Sequence, residues 1–332
     1  MYSDVTQALQ RLRIGEPVTF KNLTMYPLLD GLSGSPDYLL LEQAVQDGLV
    51  QVTEVSEAGA VNNLKVTNRA EKPVLIVDGE ELVGAKQNRV VNLTILVPEQ
   101  ETITIPVTCV EQGRWHDVSP EFRVSRQSMP ADIRARKAEQ VLSYRVRTGE
   151  PRSDQSAPWD ELNRRRTMMD VDSPTGAMSD IYERYEVTLA DYERAFRPAE
   201  GQFGVLFSIN GRIAGIDVFD YAHTLSRFFP KHVRSYALDA ISFFQVDFVP
   251  VSAQTVQQFI ERVGSADSQT FPAVGEGEDV RFRGAGIVGS ALVARGRVVH
   301  LCAFSQPDDG GEGFRDLFTR LSRASSRRER LL

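Results

Sequence analysis

The sequence predicts an α+β protein: a β-rich N-terminal lobe (about 16–115), a helical middle segment (about 116–200) and a smaller α/β C-terminal lobe (about 201–305). Three observations carry that prediction. Up to about residue 111, apolar residues come in short runs rich in Val, Ile and Thr, bounded by Gly, Pro and Asn, which is strand chemistry. From Pro130 to Phe196 they recur at three- and four-residue intervals, the period of a helix face. After Gly201 both patterns alternate. Residues 1–305 are expected to form one domain, followed by a C-terminal helix and polar tail over 306–332.

In order, residues 3–13 read as a short helix, with Ser3 as N-cap and Gly15 past its end. Residues 18–25 read as a strand, 36–46 as a helix, and 49–55, 64–67 and 74–77 as strands. Asp78-Gly79-Glu80-Glu81 reads as an acidic turn. Two long strands follow, 89–97 and 102–111. Residues 130–147 and 158–169 are helices with Pro in the first turn, joined by the polar linker TGEPRSDQSAP. Residues 178–196 form one helix, striped by Met178, Ile181, Tyr182, Tyr185, Leu189, Tyr192 and Phe196. Residues 203–209 and 212–218 form a hairpin, because Asn210-Gly211 accepts the positive φ of a type I′ turn. A helix (221–240), a strand (244–249), a helix (253–263), the loop SADSQTFPAVGEGED and three strands (280–282, 287–293, 298–304) complete the lobe. Phe314, Leu317, Phe318 and Leu321 mark the last helix.

With 332 residues, 42% of them hydrophobic, the chain can bury one large core or two ordinary ones. Its net charge of −7 argues against a nucleic-acid partner. The charge is uneven: residues 114–166 carry twelve Lys+Arg against eight Asp+Glu, a solvated helical face or a surface turned to an anionic ligand. Cys109 and Cys302 lie in apolar runs and read as buried thiols of a reducing compartment. No basic-then-apolar leader and no bilayer-length apolar run occurs. The expectation is a cytoplasmic protein with no membrane partner.

The candidate site lies in PVLIVDGEELVGAKQNRVVNLTILVPEQETITIPVTCVEQGRW. If the two long strands form a tight hairpin, Val97 faces Ile103, Val91 faces Cys109 and Arg89 faces Glu111. The pair is either an ion pair closing the sheet end or the floor of a pocket, where apolar packing stops and polar groups converge. Lys86, Gln87, Asn88, Gln112 and Arg114 crowd the same end. Trp115 beside Arg114 suits a platform for a purine or nicotinamide ring, although a Trp more often caps a core. His116 is an acid/base candidate or a surface histidine. Glu80 and Glu81 are either a solvated turn or carboxylates for general acid–base work or Mg²⁺ binding. No metal site is assigned, since no Cys/His ligand spacing exists, and the residues name no cofactor.

Three other signals are set aside. Gly284, Gly286 and Gly289 match GxGxxG but precede strand–turn–strand, not the helix a dinucleotide fingerprint opens. Cys109 sits on an apolar strand face, which raises a thiol pKa. Arg164-Arg165-Arg166 lacks interleaved aromatics.

The run DGEELVGAKQNRVVNLTILVP…TIPVTCVEQGRW resembles the bacterial ADP-ribosylglycohydrolase- and rhodanese-phosphatase-associated protein domain family. The resemblance continues through SDQSAPWDEL, SPTGAMSDIYE, GVLFSINGRIAGIDVF, VRSYALDAI and GRVVHLCAF, covering about 16–304. It implies a nucleotide-like or ADP-ribosyl ligand at the strand-end cluster, with Asp154, Gln155 and Trp159 lining the cleft from the helical side. Three functions fit. The first is binding or processing of a nucleotide or ADP-ribose-related small molecule. The second is a non-enzymatic interaction or self-assembly module, a homo-oligomer. The third is a metal-assisted hydrolase using Glu80, Glu81 and Glu111.

Overall fold

The computed structural model describes residues 2–29, 34–284 and 286–306. The C-terminal helix and almost all of the polar tail expected over 306–332 lie outside them. The described elements are α1 (Tyr2–Gln10), β1 (Arg13–Ile14), β2 (Val18–Phe20), β3 (Leu23–Leu29), β4 (Leu39–Leu40), α2 (Leu41–Gln46), β5 (Val50–Glu54), β6 (Asn63–Asn68), β7 (Val74–Ile76), β8 (Glu80–Gly84), β9 (Arg89–Val91), β10 (Ile95–Val97), β11 (Thr102–Cys109) and β12 (Phe122–Ser128). Then come α3 (Ala131–Thr148), α4 (Ser156–Met168), α5 (Met178–Arg184), α6 (Glu186–Ala195), β13 (Gln202–Ile209), β14 (Arg212–Phe219), α7 (Ala222–Ser242), α8 (Ala253–Ser265), β15 (Asp267–Pro272), β16 (Glu278–Gly284), β17 (Ile287–Ala294) and β18 (Arg297–Ser305).

The protein is α+β. Its strands make a nine-stranded sheet (β1-β3-β13-β14-β18-β17-β16-β15, with β2 on β3), a six-stranded sheet (β12-β8-β9-β11-β6-β5) and a three-stranded sheet (β10-β7-β4). The large sheet crosses the expected lobe boundary, because β3 pairs along its length with β13. The Asn22 side chain fastens that junction, donating to Asn210 Oδ1 (2.8 Å) and the Ala240 carbonyl (2.9 Å) while accepting from the Tyr192 hydroxyl (3.1 Å). Helices α3 and α7 pack on one face of this sheet, α1 and α8 on the other. Arg165 of α4 donates to Asp132 of α3 (2.7 Å) and Asp239 of α7 (2.5 Å), holding three helices by one guanidinium.

Several local expectations change. Residues 18–25 are a hairpin, β2–β3, turning at Lys21 with φ 51°. The helix expected over 36–46 starts only at Leu41, since Leu39 and Leu40 pair in parallel with β7. Residues 178–196 split into α5 and α6 at Tyr185, whose hydroxyl is drawn to the Met169 carbonyl (2.9 Å). Residues 244–249 form no strand and leave Phe244, Val246 and Val249 exposed. The loop expected after Val263 contains β15, and the helical segment expected over about 116–200 opens with β12.

The hairpin register is also corrected. Residues 89–97 are two strands in different sheets: β9 pairs with β11, and β10 pairs with β7. The break at Asn92–Thr94 is stabilised by side chains, Thr108 donating to Asn92 (2.6 Å) and Thr94 accepting the Asp78 N–H (3.2 Å). Arg89 therefore faces Cys109, not Glu111, a slip of two residues that preserves each side chain's face.

Candidate functional site

Glu111 sits just past β11, and four donors fill its carboxylate: the Asn88 N–H (3.0 Å), Arg114 Nη2 (2.6 Å) and Nε (2.9 Å), and the Thr175 hydroxyl (2.8 Å). Arg114 also donates to Asn88 Oδ1 (3.0 Å) and to the Ala85 and His116 carbonyls. This bidentate pair ties the β8–β9 turn to the segment after β11. Burial acts to raise the Glu111 pKa, but Arg114, the Asn88 N–H and Thr175 outweigh it and hold the carboxyl below its ordinary range.

Arg89 is wholly buried and far less satisfied. Its Nη1 donates to Gln87 Oε1 (3.0 Å) and approaches Cys109 Sγ (3.6 Å). Its Nη2 lies 4.0 Å from Glu54 Oε1. Nε and Nη2 have no hydrogen-bond partner, and neither has either oxygen of Glu54. The Trp115 ring, 45% exposed, lies 5.5 Å from the Arg89 guanidinium carbon. Gln155 reaches from α4 to pair with both peptide groups of Cys109, accepting from its N–H (3.1 Å) and donating to its carbonyl (2.9 Å). The Trp159 indole N–H, itself buried, stands beside the Cys109 thiol. Burial pushes the Cys109 thiol up, as an apolar strand face requires.

The structure thus gathers Gln87, Asn88, Arg89, Glu111, Arg114, Trp115 and Gln155 around one strand end. Trp159 stands beside Cys109, and the other candidates lie apart. Lys86 pairs with Asp117 (3.0 Å), and Gln112 accepts from Asn163 (3.3 Å). His116 is exposed and contributes its carbonyl. Asp154 caps the start of α4 by accepting the Ser156 N–H (2.9 Å). Glu80 and Glu81 belong to strand β8, not to a turn, and so face opposite sides of the sheet. Glu80 accepts the Val77 N–H (2.9 Å) and Lys231 Nζ (3.0 Å), beside a cleft of about 380 Å³. Burial pushes the Glu81 carboxyl up to about 7. Glu80, Glu81 and Glu111 do not surround a common point, as a shared cation requires.

Sequence reasoning missed a second cluster, buried between the sheets. Arg134 of α3 grips Asp217 of β14 (Nη2–Oδ1 2.8 Å, Nη1–Oδ2 3.3 Å). One turn on, Lys137 pairs with Asp78 and donates to the Val91 carbonyl (2.7 Å). The Tyr236 hydroxyl donates to Asp217 (3.1 Å), and His300 Nδ1 meets the Thr94 hydroxyl (2.7 Å). The signal available was the three-residue spacing of Arg134 and Lys137 among the apolar residues Ile133, Ala138 and Val141 of one helix.

Asp217, His232 and His300 offer three ligand atoms within 4.8 Å of one another, the residues here that could hold a metal. Charge argues against it. Two carboxylates already face two cations, so a divalent ion would leave a large net charge in a dry interior. Burial keeps His232 neutral, its pKa brought down to about 3.

A family model described as the ARG and Rhodanese-Phosphatase-superfamily-associated Protein domain matches residues 11–304. No curated protein matches the chain. No solved structure matches it either. Among the described residues, no helix is long and apolar enough to cross a membrane.

Proposed function

The chain belongs to the ARG and Rhodanese-Phosphatase-superfamily-associated Protein domain family, and from that membership we propose that it binds a nucleotide or ADP-ribose-related small molecule at the strand-end cluster. The observation that carries the reading is Arg89: a buried guanidinium with two unpartnered N–H groups under a half-exposed indole. A buried donor without an acceptor costs about 1–3 kcal/mol, which an anionic ligand would recover. A base or nicotinamide ring stacks on Trp115, a phosphate oxygen accepts from Arg89, and the unpartnered Glu54 carboxylate accepts from a ribose hydroxyl. Glu111, with every lone-pair direction in use, positions Arg114 and the Asn88 backbone rather than reacting.

Thermal denaturation with ADP-ribose, NAD and ATP tests this. A ligand at 100 times its dissociation constant adds about 2.7 kcal/mol of stability. Trp115→Ala, at an exposed position, is expected to keep the fold and abolish the shift. No shift with any of the three, or a shift unchanged in Trp115→Ala, overturns the assignment.

A further inference from the structure

At the far edge of the nine-stranded sheet, α3 and strands β15 and β16 enclose a cleft of about 470 Å³, within the size range of small-molecule sites. We propose that this cleft is a second, oxyanion-binding site, built on Arg281 and Arg283 and taking a phosphate- or carboxylate-bearing small molecule.

Arg281 is 1% exposed yet lines the cleft. Its Nε donates to both oxygens of Asp279 (2.8 and 3.0 Å), while Nη1 and Nη2 have no partner. Two free, parallel donors on a rigid fork match the two oxygens of a carboxylate or phosphate. The charge points the same way. Asp279 is shared: Arg145 Nε of α3 lies 3.6 Å from it. One carboxylate therefore serves two buried guanidiniums. Arg283 lies two residues along β16, on the same face, and is exposed at the cleft. Its cross-strand neighbour Asp267 balances only that charge.

Among the described residues, no spare carboxylate lies inward along this row. Arg281 faces Ser290 across β16–β17, Ser290 faces Cys302, and Cys302 faces Asp217. This row leads straight to the buried cluster, where Asp217 is taken by Arg134 and Asp78 by Lys137. The uncompensated charge at the cleft is met from outside. Ser143 of α3 stands at the rim, exposed and so replaceable.

Isothermal titration of the full chain with pyrophosphate and with citrate, at matched ionic strength, tests the site. Saturable binding of either is expected, pyrophosphate alone assigning a phosphate ligand and citrate alone a polycarboxylate. Arg283→Gln should weaken it at least tenfold, and Ser143→Glu should abolish it. Both positions are exposed, so both variants keep the fold. Absence of saturable binding of both anions, or binding that survives Arg283→Gln and Ser143→Glu, overturns the proposal.

Discussion

The strand-end cluster and the cluster between the sheets use the same residue types to opposite ends. Between the sheets, Asp78 and Asp217 are matched by Lys137 and Arg134, and Tyr236 and the Val91 carbonyl take further hydrogen bonds. At the strand end only half the groups are so treated. Glu111 and Arg114 pair closely, whereas Arg89 and Glu54 keep atoms without hydrogen bonds. Short buried ion pairs fix geometry, whereas Arg89, 4.0 Å from Glu54, retains capacity to bind. Unsatisfied atoms alone do not separate the two, since Arg134 Nε, both His232 nitrogens and His300 Nε2 also lack hydrogen-bond partners; the closeness of the charge pairing does.

The largest effect should come from breaking the ion pairs between the sheets. Asp217→Ala strands Arg134 in the interior and should cost about 3–5 kcal/mol, measured by urea denaturation. A smaller loss, near that of an exposed pair, would mean that the cluster is hydrated.

Titration sharpens the contrast further. Glu81 has a folded pKa raised from 4.5 to about 7. Below pH 4.5 it is protonated in both states; between 4.5 and 7 only the unfolded state ionises, so its contribution falls as pH rises. At 1.36 kcal/mol per unit this amounts to about 3 kcal/mol. His232 runs the other way, lowered from 6.5 to about 3. Between those values only the unfolded state takes the proton, so its contribution is lost as pH falls. Glu81→Gln should therefore gain stability relative to wild type from pH 5 to 8, and His232→Asn should gain from pH 6 down to 4. Denaturation midpoints across pH report both, and parallel profiles for variant and wild type would refute the assigned shifts. The smallest effect is Glu111→Ala, about 2–3 kcal/mol from leaving Arg114 and the Asn88 N–H unsatisfied. It should also weaken any ligand whose shift depends on Trp115, because the same clamp places both.

The strand-end cluster was legible because period-two alternation puts Arg89 on the apolar face of its strand whatever the register. The register itself was not, since nothing local announces that Asn92–Thr94 leave one sheet for another. That break is made by Thr108, Asp78 and His300, the last 206 residues from Thr94. The acidic run at 78–81 misled for a similar reason. Gly79 does turn the chain at φ 90°, but Glu80 and Glu81 continue as strand because β12 pairs with β8. The buried cluster draws on β14, α3, α7 and β18, elements whose proximity no short window encodes. The alternation of Arg281 and Arg283 could have been read, had β16 been extended past Phe282.

The seam between β3 and β13 has a consequence in time. Asn22 and Asn210, which lock it, are 188 residues apart. At synthesis rates of about 5–20 residues per second, the first waits roughly 10–40 s for the second. Throughout that interval β3, an almost wholly buried strand in the finished protein, has no neighbour from the C-terminal half to shield it. The nascent chain thus carries a bare sheet edge through most of its own translation, and until β13 emerges it depends on whatever else in the cell will cover one.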